Sequence, residues 1–179
     1  MSYFALLYLA LPAFVANMLP VFATKINFWP WLNFPVDGGK KIFSNRIFGA
    51  NKSFRGLIVG TVGGAAVGAI QFFLTKYDIF SLPIFANFFA AIIFGALAGL
   101  GALVGDLAGS FLKRLFQVAP GRPFIPIDQI DYIVGLLVFT NFLIHWDWRA
   151  IIFLLIFATI VNPIMNISGY FLGVKKTFW

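Results

Sequence analysis

This sequence predicts an all-α, polytopic membrane protein with five transmembrane helices, N-terminus outside and C-terminus in the cytosol. Three observations carry that expectation. Of 179 residues, 61% are hydrophobic and 11% charged, against roughly 25% charged in a soluble domain, and the mean hydropathy is +0.93. Apolar runs of about 20 residues, enough to cross roughly 30 Å of hydrocarbon as helix, recur near 4–24, 56–75, 84–105, 129–146 and 149–173. Lysine and arginine, finally, are divided unevenly among the connections.

The first run has no basic residue before it and Lys25 just after it. That reverses the charge order of a secretory signal peptide, so a retained helix is expected. Residues 28–35, FWPWLNFP, mix aromatics with prolines without helical periodicity, which suits a segment lying at the headgroup level. The second run carries Gly60, Gly64 and Gly68 at spacing four; the third carries Gly95 and Gly99, with Gly101 and Gly105 offset. Small residues at that spacing let helix backbones approach closely in lipid. Packing within the bundle is the expected use, and a homodimer interface is the alternative. The fourth run is the shortest. At its outer end His145, Trp146 and Trp148 are expected in an interfacial aromatic belt. Neither an internal repeat nor a domain boundary interrupts the chain, so residues 1–179 are expected to form a single integral-membrane domain.

With five spans, Lys25, Lys40, Lys41, Arg46, Lys52, Arg55, Lys113, Arg114, Arg122, Lys175 and Lys176 fall on one side, and only Lys76 and Arg149 on the other. The positive-inside rule puts the richer side in the cytosol. Both long polar loops, 25–55 and 106–128, then face the cytosol, which fits a multi-pass protein of the cell membrane with its site on that side.

The net charge of +7 follows this topology, and no nucleic-acid-binding motif accompanies it. The same surplus would also attract anionic headgroups or a nucleotide. There is no cysteine, hence no disulfide and no thiolate chemistry, and the single histidine is placed at the outer face. Histidine acid–base catalysis on the cytosolic face is thereby unexpected.

Half of the acidic residues, Asp106, Asp128 and Asp131, lie within Gly105–Asp131 beside Ser110, Lys113, Arg114 and Arg122. At about 100° per residue, Asp106, Ser110, Lys113 and Arg114 share an arc of roughly 100° on a helix. Pro120, Pro123 and Pro126 then break the chain, and Asp128 and Asp131 begin the fourth helix on one face. Carboxylates gathered beside cations suit a polyphosphate bound with Mg2+: hard oxygens hold the metal, and Lys and Arg hold the phosphate oxygens it leaves free. Each residue also has a plainer use. Asp128 can cap a helix, and Lys113 and Arg114 can snorkel at a helix end. A second cluster, Gly49-Ala-Asn51-Lys52-Ser-Phe-Arg55-Gly56, precedes the second helix. Its glycines permit close backbone approach, and Asn51 can read a base edge or a phosphate.

Ser110-Phe-Leu-Lys113-Arg114, followed by Pro126-Ile-Asp128-Gln129-Ile-Asp131, resembles the signature of CTP-dependent phosphatidate cytidylyltransferases, S-x-x-K-R and then P and D-x-x-D. The closer likeness is to their archaeal branch, the CDP-archaeol synthases. Pro12-Ala-Phe-Val-Ala-Asn17-Met-Leu-Pro20, Asn51-Lys-Ser-Phe-Arg-Gly56 and the stretch from Asn166 to Trp179 extend the resemblance over nearly the whole chain. The bacterial Lys-Asp pair and His-Gly-Gly stretch are missing and Gln129 stands in place of an arginine, which favours the archaeal branch. Lys176, Thr177 and Phe178 depart from the family's proline-containing ending.

The resemblance implies transfer of CMP from CTP to an isoprenoid ether glycerol phosphate in the membrane, with pyrophosphate released and Mg2+ as cofactor. It implies that Asp106, Asp128 and Asp131 hold the metal, that Lys113 and Arg114 bind triphosphate or lipid phosphate, and that Ser110 orients a phosphate oxygen. It implies also that Asn51, Lys52 and Arg55, with Lys40, hold CTP. A small-solute transporter is the rival from another class, since Asn17, Asn141, Asn162 and Asn166 put amides inside the apolar runs. Transporters, however, tend to bind at the bilayer midplane and to carry repeats, whereas the charges here gather at one face.

Overall fold

The computed structural model describes residues 2–77, 85–119 and 122–171. Pro120 and the C-terminal stretch with Lys175 and Lys176 lie outside these. Five helices follow in order: α1 (Tyr3–Lys25), α2 (Phe54–Lys76), α3 (Phe88–Leu115), α4 (Ile127–Thr140) and α5 (Trp148–Phe171). α1, α2, α3 and α5 are long and apolar enough to cross a membrane. The expected fourth span is the exception. With 14 residues, α4 rises only about 21 Å, short of the roughly 30 Å of a hydrocarbon core.

Local chemistry explains where α4 stops. The Thr140 hydroxyl donates to the carbonyl of Leu136 (2.7 Å) and accepts from the indole Nε1 of Trp146 (3.1 Å). The chain therefore folds back on the helix end after residue 140. Trp146 is buried rather than placed in an aromatic belt, while His145 and Trp148 are exposed.

The other helices are capped by their own sequence. Ser2, Ser53 and Asn87 accept the amides of Ala5, Gly56 and Ala90 at the starts of α1, α2 and α3, each satisfying one of the donors that a helix start leaves open. α3 continues ten residues past the expected end at 105, because Asp106, Ser110 and Lys113 turn toward a polar cavity and so do not halt the helix.

Glycines set how closely the helices pack. A Cβ at Gly64 would strike the carbonyl of Gly95, and one at Gly68 would strike that of Ala91, so α2 and α3 lie with their backbones in contact. The offset pair has a second partner. Gly101 and Gly105 face α4, where Gly135 and the backbone of Asp131 fill the space. The expected intramolecular use of these glycines therefore holds on two faces of α3. Leu9, Ala13, Phe94, Ala98, Ile133, Leu136, Leu154 and Ala158 fill the core between α1, α3, α4 and α5.

The loop between α1 and α2 departs from the all-α expectation. It contains a two-stranded antiparallel hairpin, β1 (Lys41–Ile42) and β2 (Asn45–Arg46), with Lys41 opposite Arg46. Asp37 organises it. Its buried carboxylate accepts from the Arg46 guanidinium (2.9 Å) and from the amides of Gly39 (2.9 Å) and Phe48 (3.4 Å). Burial pushes this carboxyl up, but those donors outweigh it and hold it below the ordinary carboxylate range. Upstream, Pro30–Leu32 form a 3-10 turn with Trp31 and Phe34 exposed, in keeping with a headgroup-level segment.

Candidate functional site

The extended end of α3, the start of α4, the loop before α2 and the facing walls of α1 and α5 enclose one cavity of about 770 Å3. Its two parts differ in chemistry. Asn51, Lys52, Asp106, Ser110, Lys113, Arg122, Asp128 and Asp131 line one end; Leu7, Leu11, Phe14, Met18, Val21, Phe157 and Val161 line the wall of α1 and α5.

Asp106, Ser110 and Lys113 are four and three residues apart and form one stripe on α3. Arg114, at the edge of the expected arc, turns aside. Its Nη1 donates to the carbonyl of Val118 (2.9 Å), and its Nη2 would lie 3.5 Å from a Cβ at Gly49. The Arg114 Nε is buried with no acceptor among the described residues.

Asp131 reaches the same cavity because α3 has no side chain in its way. A Cβ at Gly109 would lie against the Asp131 carboxylate, and one at Gly105 against its carbonyl. Asp131 Oδ1 accepts from the amide of Tyr132 (2.6 Å), and Asp106, Asp128 and Lys52 all act on it electrostatically. Two ion pairs bind the loops to this core. Lys52 Nζ pairs with Asp106 Oδ2, joining the loop before α2 to α3. Lys113 Nζ pairs with Asp128 Oδ2 at 2.5 Å, joining α3 to α4.

Asp128 is not a helix cap. The cap position is Pro126, and the Asp128 carboxylate instead accepts Lys113 and the amide of Phe124 (2.9 Å). Among the described residues, no three His, Cys, Asp or Glu side chains converge on a single metal position. The acidic trio therefore divides by partner: Asp106 pairs with Lys52 and Asp128 with Lys113, while the Asp131 carboxylate lies over the bare Gly109 with no ion pair among the described residues. Two carboxylates open to a cavity are a donor set for a hard divalent cation that completes its shell with water and phosphate oxygens.

Besides Arg114, which does not line the cavity, two residues expected at the site are placed elsewhere. Arg55 is 2% exposed; its guanidinium donates to Thr24 Oγ1 (3.1 Å), Asn27 Oδ1 (3.4 Å) and the carbonyl of Phe28 (3.4 Å). It fastens the end of α1 to the start of α2. Lys40 is exposed on the hairpin and does not line the cavity.

Other residues reach the cavity without having been assigned to it. Asn162 Nδ2 donates to the carbonyl of Asp128 (3.0 Å), and Asn166 Nδ2 to Asn162 Oδ1 (2.9 Å), so an amide ladder on α5 supports the first turn of α4. Asn17, Gln129, Tyr132 and Arg122 also line it. The signal for three of these was the amide inside an apolar run: Asn17, Asn162 and Asn166 all face the cavity, whereas Asn141 is exposed just past α4.

Residues 2–179 match the family model described as CarS-like, CDP-archaeol synthase. The chain is 35% identical to CDP-archaeol synthase of Methanocaldococcus jannaschii over 98% of its own length and 97% of that protein. It is 34% identical to CDP-archaeol synthase of Thermococcus gammatolerans, over 99% and 97% of the two chains. A solved structure, described as an intramembrane enzyme for archaeal membrane lipids biosynthesis, superposes with a TM-score of 0.71 at 29% identity, covering 89% of this chain and 91% of the other.

Proposed function

The chain belongs to the CarS-like family of CDP-archaeol synthases, and from that membership we infer that it is a membrane-embedded, CTP-dependent cytidylyltransferase of archaeal lipid biosynthesis. A transporter has no support beside this. Its substrates are CTP and an isoprenoid ether glycerol phosphate, and the whole chain works as one membrane domain with its charged end at the cytosolic face of the cell membrane.

The observation that carries this reading is the two-part cavity. A lipid phosphate has to keep its tails in an apolar space while its phosphate meets a soluble triphosphate, and here a charged end opens directly onto an apolar wall. A phosphate oxygen of the lipid attacks the α-phosphorus of CTP; the new P–O bond forms as the bond to the β-phosphate bridge oxygen breaks, and pyrophosphate leaves. The attacking oxygen is already anionic, so no general base is required. Catalysis then rests on alignment and charge neutralisation, in accord with a cavity end lined by lysines, Arg122 and carboxylates.

Asp106 and Asp131, supported by Asp128, would hold Mg2+, which supplies charge neutralisation on the triphosphate. In the ion pairs, Lys52 and Lys113 keep Asp106 and Asp128 neutralised until substrate arrives; phosphate oxygens then take the ammonium groups. Asn51 and Ser110 offer neutral donors to the same anion. Arg114 does not line the cavity and holds the Val118 carbonyl instead. The placement of Arg55 gives it a positioning role instead, holding the loop that carries Asn51 and Lys52.

Pyrophosphate release by detergent-purified protein tests the reading, with CTP and Mg2+ and either geranylgeranyl ether glycerol phosphate, diacyl phosphatidate or no lipid. Release that requires both CTP and the ether lipid is expected. Equal release without lipid, or none with either lipid from folded protein, overturns it.

A further inference from the structure

Asn17 stands alone on its wall of the cavity. Along α1 the residues lining the space are Leu7, Leu11, Phe14, Met18, Val21 and Phe22, all apolar, with Asn17 the single polar side chain among them. It is half-buried in a membrane-spanning helix, and its amide makes no hydrogen bond among the described residues. The amides facing it from α5 are spent differently, Asn162 on the Asp128 carbonyl and Asn166 on Asn162. An uncommitted amide inside a span is costly unless something pairs with it.

Its height on the helix says what that partner is. One turn toward the outer face, Phe14 packs on Tyr132 with ring centroids 5.7 Å apart, and Tyr132 follows Asp131 in the chain. Asn17 therefore lies near the depth of the carboxylates, where the charged end gives way to the apolar wall. A lipid phosphate seated with its phosphorus at the carboxylates carries two linkage oxygens a few bonds away, before its tails begin. Those oxygens accept hydrogen bonds and donate none. A nucleotide also has acceptors, but its sugar and base would have to lie along Phe14, Met18 and Val21.

We propose that Asn17 is a specificity-determining residue that donates its amide N–H to a linkage oxygen of the lipid's glycerol backbone. This deepens the cytidylyltransferase reading and rests on it. The wild-type reaction separates the two, since failure of lipid-dependent pyrophosphate release sinks that reading before Asn17 is touched.

The test is a cycle of two enzymes and two lipids. Wild type and Asn17→Leu are assayed with the ether lipid phosphate and with a branched alkyl phosphate in which both linkage oxygens are methylenes. With the ether lipid, Asn17→Leu is expected to raise the lipid KM about fivefold, the scale of one neutral hydrogen bond, while the CTP KM stays within about twofold. With the alkyl phosphate, the two enzymes are expected to have equal lipid KM. Asn17→Ser, which keeps a donor, is expected to recover part of the loss and serves if the leucine variant does not fold. An unchanged lipid KM, a rise in the CTP KM in place of the lipid KM, or an equal penalty with both lipids overturns the proposal.

Discussion

The two faces of α3 use the same small-residue packing to different ends. Toward α2, Gly95 and Gly99 meet Gly64 and Gly60, backbone against backbone, and no charged group lies between them. Toward α4, Gly101 and Gly105 repeat that contact with Gly135 and the Asp131 carbonyl, but one turn further on Gly109 faces a carboxylate. The first seam is cohesion alone. The second uses the same close approach to bring Asp131 over Gly109, one turn from Asp106, so its geometry is also that of the candidate site.

The sharpest way to break the comparison is to remove the charge and leave the seam. Asp131→Asn keeps the shape over Gly109, and turnover is expected to fall by at least about a hundredfold, the usual scale for loss of a group that neutralises transition-state charge. Its thermal midpoint in detergent should match wild type. Retention of most of the activity would remove Asp131 from the metal position.

A methyl group on each seam sharpens the contrast. In Gly64→Ala the new Cβ meets a backbone carbonyl that cannot swing away, so a loss of about 1–3 kcal/mol in stability is expected, with the turnover of the surviving folded enzyme little changed. In Gly109→Ala it meets first the Asp131 carboxylate, which can rotate, with the Asp131 Cβ and Cγ behind it at 3.0 and 3.1 Å. Stability should then fall less and turnover more, by roughly tenfold, as Asp131 is displaced from Asp106. Thermal melts and pyrophosphate assays on both variants decide it; the same ranking in both assays would mean that the seams do not differ.

A smaller effect separates Lys52 from Arg55, three residues apart on the same loop. Lys52→Ala should raise the CTP KM several-fold with little change in melting. Arg55→Ala leaves three acceptors near the end of α1 without their donor and should cost about 1–3 kcal/mol of stability, with CTP KM near wild type once folded protein is selected. An unchanged CTP KM in Lys52→Ala would mean that this loop does not hold the nucleotide.

Much of this was legible in the chain, and the failures follow a pattern. Helices α1, α2, α3 and α5 were visible because a span must be apolar over its whole length. Asp106, Ser110 and Lys113 were visible because helical spacing is itself a statement about faces. The short α4 was not, since Trp146 folding back on Thr140 is a contact that no apolar run discloses. The β-hairpin was hidden in a loop whose order depends on one buried carboxylate and its donors. Lys52 and Arg55 look alike as sequence, two basic residues in one loop, and only the path of that loop sends one to Asp106 and the other to the end of α1.

By itself, then, the sequence determined the membrane-embedded class, the gathering of charge near one end of the helices and the residue types able to bind a metal–polyphosphate, because hydropathy, helical period and donor chemistry are local properties. Tertiary structure decided which cations line the cavity, which amides join them, and that Asp106 and Asp128 each take a lysine while Asp131 lies over the bare Gly109. The physical reason is that these choices depend on how closely α3 and α4 approach, and that distance is set by glycines facing each other from segments far apart in the chain.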